Sequence, residues 1–300
     1  MRVRVTGERF PKNDNCIIIM NHRTQMDWLV LWSYLVREGR LSRTKISLKN
    51  MLRHIPGAGW AMQQSLFLFL LRNWEKDKFH FYRLLDYYIK TNKQFQLLIF
   101  PEGTDYCRLS KQSSLAFAKK NNLQAFDYVL HPRTKGFAEA TLRLRDNITS
   151  VIDITVGYPD NMPSEFLSLL AGNYPRQVHF DVKCYPIDSL PRESDELQDW
   201  CKSLWAEKEE KLKRFYQDGK FRGEALSHDN EYRVKRKLLL SLIFWTSLIV
   251  VAALAFSISS WFCWYILFAC TVYGVINAFG GVQTLIINAF YRLNQPSGQY

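Results

Sequence analysis

The sequence predicts an α/β fold, with a mainly parallel central sheet flanked by helices, followed by a C-terminal two-helix transmembrane hairpin. Three short apolar runs, at residues 16–20, 96–100 and 151–158, lack polar alternation, as buried parallel strands do. Segments with helical spacing separate these runs, which is typical of a domain that alternates strands and helices. A third observation predicts the hairpin: residues 238–291 contain no charged residue and no histidine.

These features divide the 300 residues into three parts. We expect a single α/β domain over residues 1–216, a polar and basic linker over 217–237 and the transmembrane hairpin over 238–291. The hairpin consists of two apolar runs, 238–258 and 261–287. Basic residues flank it on both sides, so the positive-inside rule places both flanks in the cytosol. These residues are Arg233, Lys235, Arg236, Lys237 and Arg292.

The first predicted strand, at 15–20, runs into the segment Asn-His-Arg-Thr-Gln-Met-Asp-Trp at 21–28. A helix follows, because Trp28, Leu31, Trp32 and Leu35 recur at helical spacing. We expect Thr24 to cap this helix, with Asp27 three residues later in a capping box. On the residues alone, His22 is either a general base oriented by Asp27 or a loop histidine beside a capping carboxylate.

The middle of the domain alternates in the same way. Short strands are predicted at 45–49 and 65–71, the second ending in Arg72, and a helix at 75–90. The strand at 96–100 enters the turn Pro-Glu-Gly-Thr-Asp at 101–105. Ligands of α/β sheets bind outside the carboxyl ends of the strands, so this turn is a candidate for ligand contact.

The rest of the domain begins with a helix at 110–121 and a basic turn at 130–137 that leads into another helix. The strand at 151–158 contains Asp153, which we expect to be hydrogen-bonded. Residues 177–184 alternate in polarity, which predicts a half-exposed antiparallel strand with His179 on its solvated face. An amphipathic helix at 196–215 completes the domain.

Composition narrows the functional class. The net charge of +12 lies almost wholly before residue 238, which favours an anionic partner. No zinc-finger or RNA-binding motif is present, so we expect no nucleic acid. The six cysteines are scattered without ligand or disulfide spacing, which predicts reduced thiols and no metal site.

Four segments resemble the motifs of the glycerolipid acyltransferase family, which includes the 1-acylglycerol-3-phosphate acyltransferases. His22 and Asp27 match the first motif, His-x4-Asp. The apolar run at 66–72 is similar to the second, Phe-Pro-Glu-Gly-Thr at 100–104 to the third, and 152–159 to the fourth. The order and spacing of all four make the match specific, and it covers about residues 5–220. Members of this type usually carry a membrane segment ahead of the first motif, which this sequence lacks, so we expect a fragment, a processed form or a short isoform.

The resemblance implies an acyl-CoA-dependent lysophospholipid O-acyltransferase without a cofactor, in which acyl-CoA is a co-substrate. His22 is then the general base and Asp27 orients it, and the lysolipid hydroxyl attacks the thioester directly. The absence of a Gly-x-Ser-x-Gly elbow agrees with a mechanism that forms no acyl-enzyme. We expect Arg72 and Lys49 to bind the phosphate of the lipid head group. Glu102, Gly103 and Thr104 are expected to shape the pocket for that phosphate.

Arg133 and Lys135 either bind a head-group or CoA phosphate or belong to a basic surface that faces the membrane. The family usually has arginine where this chain has Asp105, which removes a phosphate ligand and favours a lysophospholipid with a larger head group. Shared segments, including Tyr-Pro-Ile-Asp at 185–188, resemble the members that act on monolysocardiolipin.

Several alternatives stay open at this point. The acyl acceptor could instead be lysophosphatidic acid, lysophosphatidylinositol or lysophosphatidylglycerol. An alternative function of a different class is that of a catalytically silent, membrane-anchored lipid-binding protein. The expected partners are acyl-CoA, an anionic lysophospholipid and the bilayer, and the expected location is the endoplasmic reticulum or mitochondria-associated membrane.

Overall fold

The computed structural model describes residues 1–11, 14–160, 168, 171–227 and 231–294. The chain forms two compact units. The first unit comprises Met1–Ser47 and Arg72–Ser227, and the second comprises Leu48–Leu71 and His228–Tyr300. Residues 228–230 of the predicted linker lie outside the described residues.

The described strands occupy the following positions: β1 Arg2–Gly7, β2 Cys16–Met20, β3 Thr44–Lys49, β4 Leu68–Leu70, β5 Gln96–Ile99, β6 Ser150–Gly157 and β7 Gln177–Pro186. In the first unit the strands lie in the order β1-β7-β6-β2-β5-β3. Four of the neighbouring pairs are parallel, and only β6 and β7 run antiparallel. The predicted mainly parallel sheet is therefore confirmed, with β1 as a strand that the polar opening residues did not predict.

The described helices of the first unit are α1 Asp27–Arg37, α3 Trp74–Lys90, α4 Arg108–Lys120, α5 Lys135–Leu144 and α6 Ser194–Asp218. Those of the second unit are α2 Ala58–Gln64, α7 Glu231–Ile258, α8 Ser260–Ala278 and α9 Gly281–Leu293. Every residue of β2 and β6 is buried, which explains why these strands carry no polar alternation.

The register of the central strands sets the position of the loops that follow them. Ile19 of β2 lies opposite Ile99 of β5, and Met20 lies opposite Ile154 of β6. Because these three strands are parallel, their carboxyl ends meet at one edge of the sheet. The loops that begin at Asn21 and Phe100 and the end of β6 are therefore neighbours.

The prediction for His179 was wrong. Its side chain is buried, with 5% exposure, because β7 lies between β1 and β6 and α6 covers this face. The His179 and Phe215 rings meet edge to face with centroids 5.4 Å apart. Burial, reinforced by the charge of Arg4, lowers the pKa of His179. The polar face of β7 is only partly exposed: Lys183 is exposed, whereas the His179 position is covered by Phe215 of α6, a difference that sequence spacing alone does not reveal.

Asp153 was expected to be hydrogen-bonded, and in the structure its partner is a buried cation. The ammonium of Lys208 forms an ion pair with Asp153 and donates to the carbonyl of Ile154 and the hydroxyl of Thr155. Both Lys208 and Asp153 are 1% exposed. Burial lowers the pKa of Lys208, and the charge of Asp153 opposes this.

In the second unit, α7 and α8 are long and apolar enough to cross a membrane, and neither has a buried residue in its most apolar stretch. At 1.5 Å per residue they span about 42 Å and about 28 Å, against a hydrocarbon core of about 30 Å. The sequence predicted that the second apolar run forms one span from residue 261 to 287, but the structure divides it into two helices. Gly280 and Gly281 adopt positive φ and separate α8 from the amphipathic α9.

Within the same unit the glycine pair is held by the segment before β4. The guanidinium of Arg53 donates to the carbonyl of Gly280, and the amide of Gln63 donates to the carbonyl of Arg53 at 2.9 Å. A Cβ at Gly281 would come within 2.0 Å of the Gln63 side chain. Residues 48–71 therefore form part of the unit that contains the two apolar helices.

Candidate active site

His22 and Asp27 are joined in the loop that follows β2. The two residues lie five positions apart, and Nδ1 of His22 is 2.9 Å from Oδ2 of Asp27. The Asp27 side chain is fully buried, whereas that of His22 is 16% exposed. With Nδ1 bound to Asp27, Nε2 is the ring nitrogen left for a substrate.

The predicted capping interaction between Thr24 and Asp27 is present in part. Oδ2 of Asp27 accepts a hydrogen bond from the backbone N–H of Thr24 at 2.9 Å, which is the carboxylate half of a capping box. The hydroxyl of Thr24 accepts from the N–H of Met26 at 3.3 Å, and the helix α1 begins at Asp27. The same carboxylate oxygen therefore contacts both the imidazole of His22 and the backbone of the loop.

The imidazole of His22 is also held from its other sides. Its ring stacks on Phe100, with centroids 4.2 Å apart. The backbone N–H of His22 donates to Oε1 of Glu102 at 3.1 Å. The backbone carbonyl of His22 accepts from the N–H of Tyr106 at 2.8 Å. The loop after β5 thus fixes both the ring and the backbone of His22.

Asn21, which sequence reasoning did not single out, ties this loop to β6. Its side-chain oxygen accepts from the N–H of Val156 at 2.8 Å, and its amide donates to the carbonyl of Val156 at 3.1 Å. The side chain is fully buried, so both bonds replace water that the amide has lost. Its position in the motif, at the end of a buried strand, was the only signal for such a role.

Glu102 is an interior residue with three hydrogen-bond donors. Besides the N–H of His22, it accepts from Nε1 of Trp205 at 3.2 Å and from the N–H of Leu130 at 3.2 Å. Its side chain is 3% exposed, and burial raises its pKa to about 7 although the hydrogen bonds oppose this. The carboxylate faces inward, where it joins the turn to the loop of His22, to Leu130 and to α6.

Gly103 lies at the tip of this turn, with φ at +72°, and its N–H donates to the carbonyl of Phe100 at 2.9 Å. A Cβ at this position would be 3.3 Å from Cδ of Arg133. Thr104 is half-buried, and its hydroxyl is 3.4 Å from Oδ1 of Asp105. Glycine here gives the Arg133 side chain room to lie against the turn.

Arg72 and Arg133 are near enough to influence each other. Arg72 is exposed and adopts a positive φ of 64°, which is unusual for a residue with a side chain. Partial desolvation and the charge of Arg133 lower the pKa of Arg72, whereas Asp105 raises it. Arg72, Arg133 and Asp105 are therefore within electrostatic range of one another, and Arg133 lies against the turn that holds Gly103.

Lys135 and Lys49 are both exposed. Lys135 begins α5, and its ammonium lies 5.2 Å from the centre of the Trp74 ring. Lys49 is the last residue of β3 and belongs to the second unit. Their predicted contacts with substrate stay predictions.

Two residues far along the chain complete the surroundings of the pair. The hydroxyl of Tyr158, one residue beyond β6, donates to Oδ1 of Asp27 at 2.7 Å, and Trp205 of α6 donates to Glu102. Neither role could be predicted, because no local pattern marks a tyrosine or tryptophan as a partner of a distant carboxylate. Among the described residues, no cluster of His, Cys, Asp and Glu side chains could hold a metal ion.

The arrangement can perform one clear chemical task. The imidazolium of a free histidine side chain has a pKa of about 6.5 in water, so a neutral imidazole can accept a proton near neutral pH. A buried carboxylate on Nδ1 selects the tautomer that has its lone pair on Nε2 and stabilises the imidazolium that forms. The geometry therefore fits a general base that activates a hydroxyl group.

Comparison with known proteins agrees with the four motifs. Residues 2–158 match the family model for the acyltransferase domain, and residues 168–245 match the model for the acyltransferase C-terminus. The chain is 43% identical to lysocardiolipin acyltransferase 1 of Mus musculus, over 97% of this chain and 80% of that protein. It is 46% identical to the protein of the same name in Gallus gallus, over 82% and 67%.

A third relative has a different name. The chain is 37% identical to lysophosphatidylinositol acyltransferase 10 of Caenorhabditis elegans, over 83% of this chain and 68% of that protein. The family model alone covers more than half of the 300 residues. The chain therefore belongs to the acyltransferase family and is an enzyme of acyl-group transfer.

Proposed function

We propose that the protein is an acyl-CoA-dependent lysophospholipid O-acyltransferase in which His22 is the general base and Asp27 orients it. The observation that carries this proposal is the 2.9 Å contact between Nδ1 of His22 and buried Asp27, which leaves Nε2 for a substrate hydroxyl. The names of the relatives support a lysophospholipid as the acyl acceptor.

In the proposed reaction, Nε2 of His22 takes the hydroxyl proton of the lysophospholipid while the hydroxyl oxygen attacks the carbonyl carbon of the acyl-CoA thioester. The tetrahedral intermediate collapses as the carbon–sulfur bond breaks, which forms the ester and releases CoA as a thiolate. The imidazolium then gives its proton to the thiolate or to water. Asp27 stabilises the imidazolium throughout, and no residue of the chain becomes acylated.

The acceptor phosphate is proposed to bind beside the turn after β5. Arg72 and Arg133 offer two guanidinium groups there, and a guanidinium can hold a phosphate through two parallel hydrogen bonds. Gly103 and Thr104 line this place, and Glu102 holds the turn from inside. We add Lys49 as a further phosphate ligand and Lys135 as a contact for the head group or for CoA.

Monolysocardiolipin is our proposed acceptor. Two relatives that share 43% and 46% of their aligned residues with this chain are named for lysocardiolipin. Asp105 lies close enough to Arg72 to affect its pKa, so part of the cationic charge is already balanced. A small, doubly charged lysophosphatidic acid gains less from such a site than a larger head group that makes contacts elsewhere. Lysophosphatidylinositol, lysophosphatidylglycerol and lysophosphatidic acid are the alternatives.

The lipid substrate would come from the membrane that holds the chain. The lengths and compositions of α7 and α8 support insertion as a hairpin. The basic residues before α7's apolar part and near the end of α9 then face the cytosol. We propose the endoplasmic reticulum or mitochondria-associated membrane as the site of action.

The test is an acceptor panel with the purified full chain in detergent micelles. Each lysophospholipid is supplied with the same acyl-CoA, and release of the CoA thiol and formation of the diacyl product are measured together. We expect the highest kcat/KM for monolysocardiolipin. A higher value for another acceptor would overturn the substrate assignment and leave the reaction class standing.

His22→Ala tests the mechanism in the same assay. We expect its acyl transfer to disappear while its melting temperature stays within a few degrees of the wild type. His54→Ala, which changes an exposed histidine of the second unit, is the matched control and keeps full activity. Lysolipid binding without thiol release by the wild-type chain would instead identify a lipid-binding protein without catalysis.

A further inference from the structure

We propose that Tyr158 is a positioning residue for the His22–Asp27 pair: its hydroxyl holds the carboxylate of Asp27 in the orientation in which it supports the imidazole. This inference rests on the proposed function, because it assumes that His22 acts as the general base. Tyr158 touches neither the reacting atoms nor the imidazole, and it acts through the carboxylate alone.

The geometry divides the work between the two oxygens of Asp27. Oδ2 faces Nδ1 of His22 and accepts from the N–H of Thr24, both at 2.9 Å. Oδ1 accepts from the hydroxyl of Tyr158 at 2.7 Å. Without Tyr158, no other hydrogen bond found among the described residues would hold Oδ1, and the carboxylate could rotate away from the imidazole.

Burial makes this third hydrogen bond matter. Asp27 is fully buried and Tyr158 is 2% exposed, so water does not replace a lost partner. A buried carboxylate stays ionised only where donors compensate for the water that it has lost. Each donor therefore helps to stabilise the negative charge of the Asp27 carboxylate, which faces an imidazolium once His22 has taken a proton.

The fold delivers Tyr158 to this place by register. Met20 of β2 lies opposite Ile154 of the parallel β6, and the side chain of Asn21 then binds both the N–H and the carbonyl of Val156. These bonds continue the pairing beyond the end of β2. Tyr158 follows two residues later, at the level of the loop that carries His22 and Asp27.

The tyrosine is suited to act as a permanent donor. Burial, and then the negative charge of Asp27, raise the pKa of Tyr158 far above its usual value, so the phenol keeps its proton through any neutral assay. Tyr216 on α6 and Arg23 in the same loop also act electrostatically on Tyr158, and Glu102 after β5 interacts with His22. None of these is changed in the experiment below.

The first variant is Tyr158→Phe in the full chain, which removes the hydroxyl and keeps the ring. We expect kcat to fall by about tenfold, as for loss of a hydrogen bond to a charged group, while KM for acyl-CoA and lysolipid stays the same. The competent form has Asp27 ionised and His22 neutral. Loss of the donor makes protonation of the pair easier, so the acid limb of the pH–kcat profile moves to higher pH.

A second variant separates positioning from packing. Incorporation of 3-fluorotyrosine at position 158 keeps the shape and makes the phenol a stronger donor, so the acid limb is expected to move to lower pH. Tyr34→Phe is the control: Tyr34 is another buried tyrosine, which packs on Phe10 and Phe180, and its variant keeps the wild-type profile.

The outcomes distinguish this inference from the proposed function. Absence of acyl transfer by the wild-type chain, or full activity of His22→Ala, would refute the function itself. With those results as expected, a wild-type kcat and pH profile for Tyr158→Phe would overturn the role of Tyr158. An acid limb that stays in place in both variants, even with a reduced kcat or melting temperature, would assign Tyr158 to packing and overturn the role as well.

Discussion

The backbone N–H of His22 donates a hydrogen bond to Oε1 of Glu102, 80 positions later in the chain, at 3.1 Å. The same oxygen accepts from Trp205, and the other oxygen accepts from Leu130. The Glu-Gly-Thr turn therefore has two sides. Inside, its glutamate holds the loop that carries His22, and outside, its glycine leaves room for Arg133.

Asp27→Asn tests the dependence of the imidazole on a carboxylate. Asparagine keeps the shape, but its amide can present a donor to Nδ1 and stabilise the wrong tautomer. We expect kcat to fall by a factor on the order of 10⁴, the loss known for the equivalent change in a serine protease triad. Thiol release at saturating substrate measures the effect. Asp86→Asn, which alters a surface partner of Arg143, is the control and keeps wild-type kcat. A loss smaller than tenfold would contradict the assigned role of Asp27.

Glu102→Gln tests the buried carboxyl group through the pH dependence of stability. The pKa of Glu102 is raised from 4.5 to about 7 by burial, so the folded protein keeps this proton over a range in which the unfolded chain has lost it. The free energy of unfolding therefore falls as pH rises from about 4.5 to about 7, by about 3 kcal/mol in total.

We expect Glu102→Gln to flatten this slope, because glutamine does not titrate. Melting temperatures in detergent at several pH values measure it, and Glu210→Gln on the exposed face of α6 is the control that keeps the wild-type slope. Equal slopes for the wild type and Glu102→Gln would show that Glu102 does not titrate in this range.

Asp105→Arg tests how the charges near Arg72 select the acceptor. The change removes the carboxylate that raises the pKa of Arg72 and adds a cation beside the turn. A compact phosphate monoester gains most from the added charge, so kcat/KM for lysophosphatidic acid should rise about tenfold relative to that for monolysocardiolipin. Asp188→Arg, at an exposed position, makes the same change in net charge and should leave the ratio as it is. An unchanged ratio in Asp105→Arg would remove Asp105 from the specificity argument.

Lys208→Met tests the buried ion pair with Asp153. Removing the ammonium leaves the carboxylate of Asp153 buried without its cation, which should reduce the free energy of unfolding by about 3–5 kcal/mol. The double variant Lys208→Met with Asp153→Leu removes both charges and should recover most of the loss. Denaturation of the purified variants measures this. A single variant as stable as the wild type would show that the pair contributes nothing.

Local patterns in the sequence were sufficient to predict the strands that lie closest to His22. The buried runs that became β2, β5 and β6 were predictable, because a parallel strand covered on both faces must be apolar at every position. The five-residue spacing of His22 and Asp27 allowed their pairing, and the order of the four motifs, which resembles that of the glycerolipid acyltransferases, favoured it over a capping role. The charge-free C-terminal stretch likewise predicted apolar helices, though not the break at Gly280 and Gly281.

The distant residues that contact Asp27 and Glu102 can be identified only from the folded structure. Tyr158 lies 131 positions from Asp27 and Trp205 lies 103 positions from Glu102. Such contacts depend on strand register and on how α6 packs across the sheet, and neither leaves a local periodicity in the chain. The burial of His179 also depends on tertiary packing, because β1 pairs with β7 from the other end of the chain and α6 folds back over the strand. Local sequence thus marked His22 and Asp27 as candidates, and long-range packing determined which residues hold them in place.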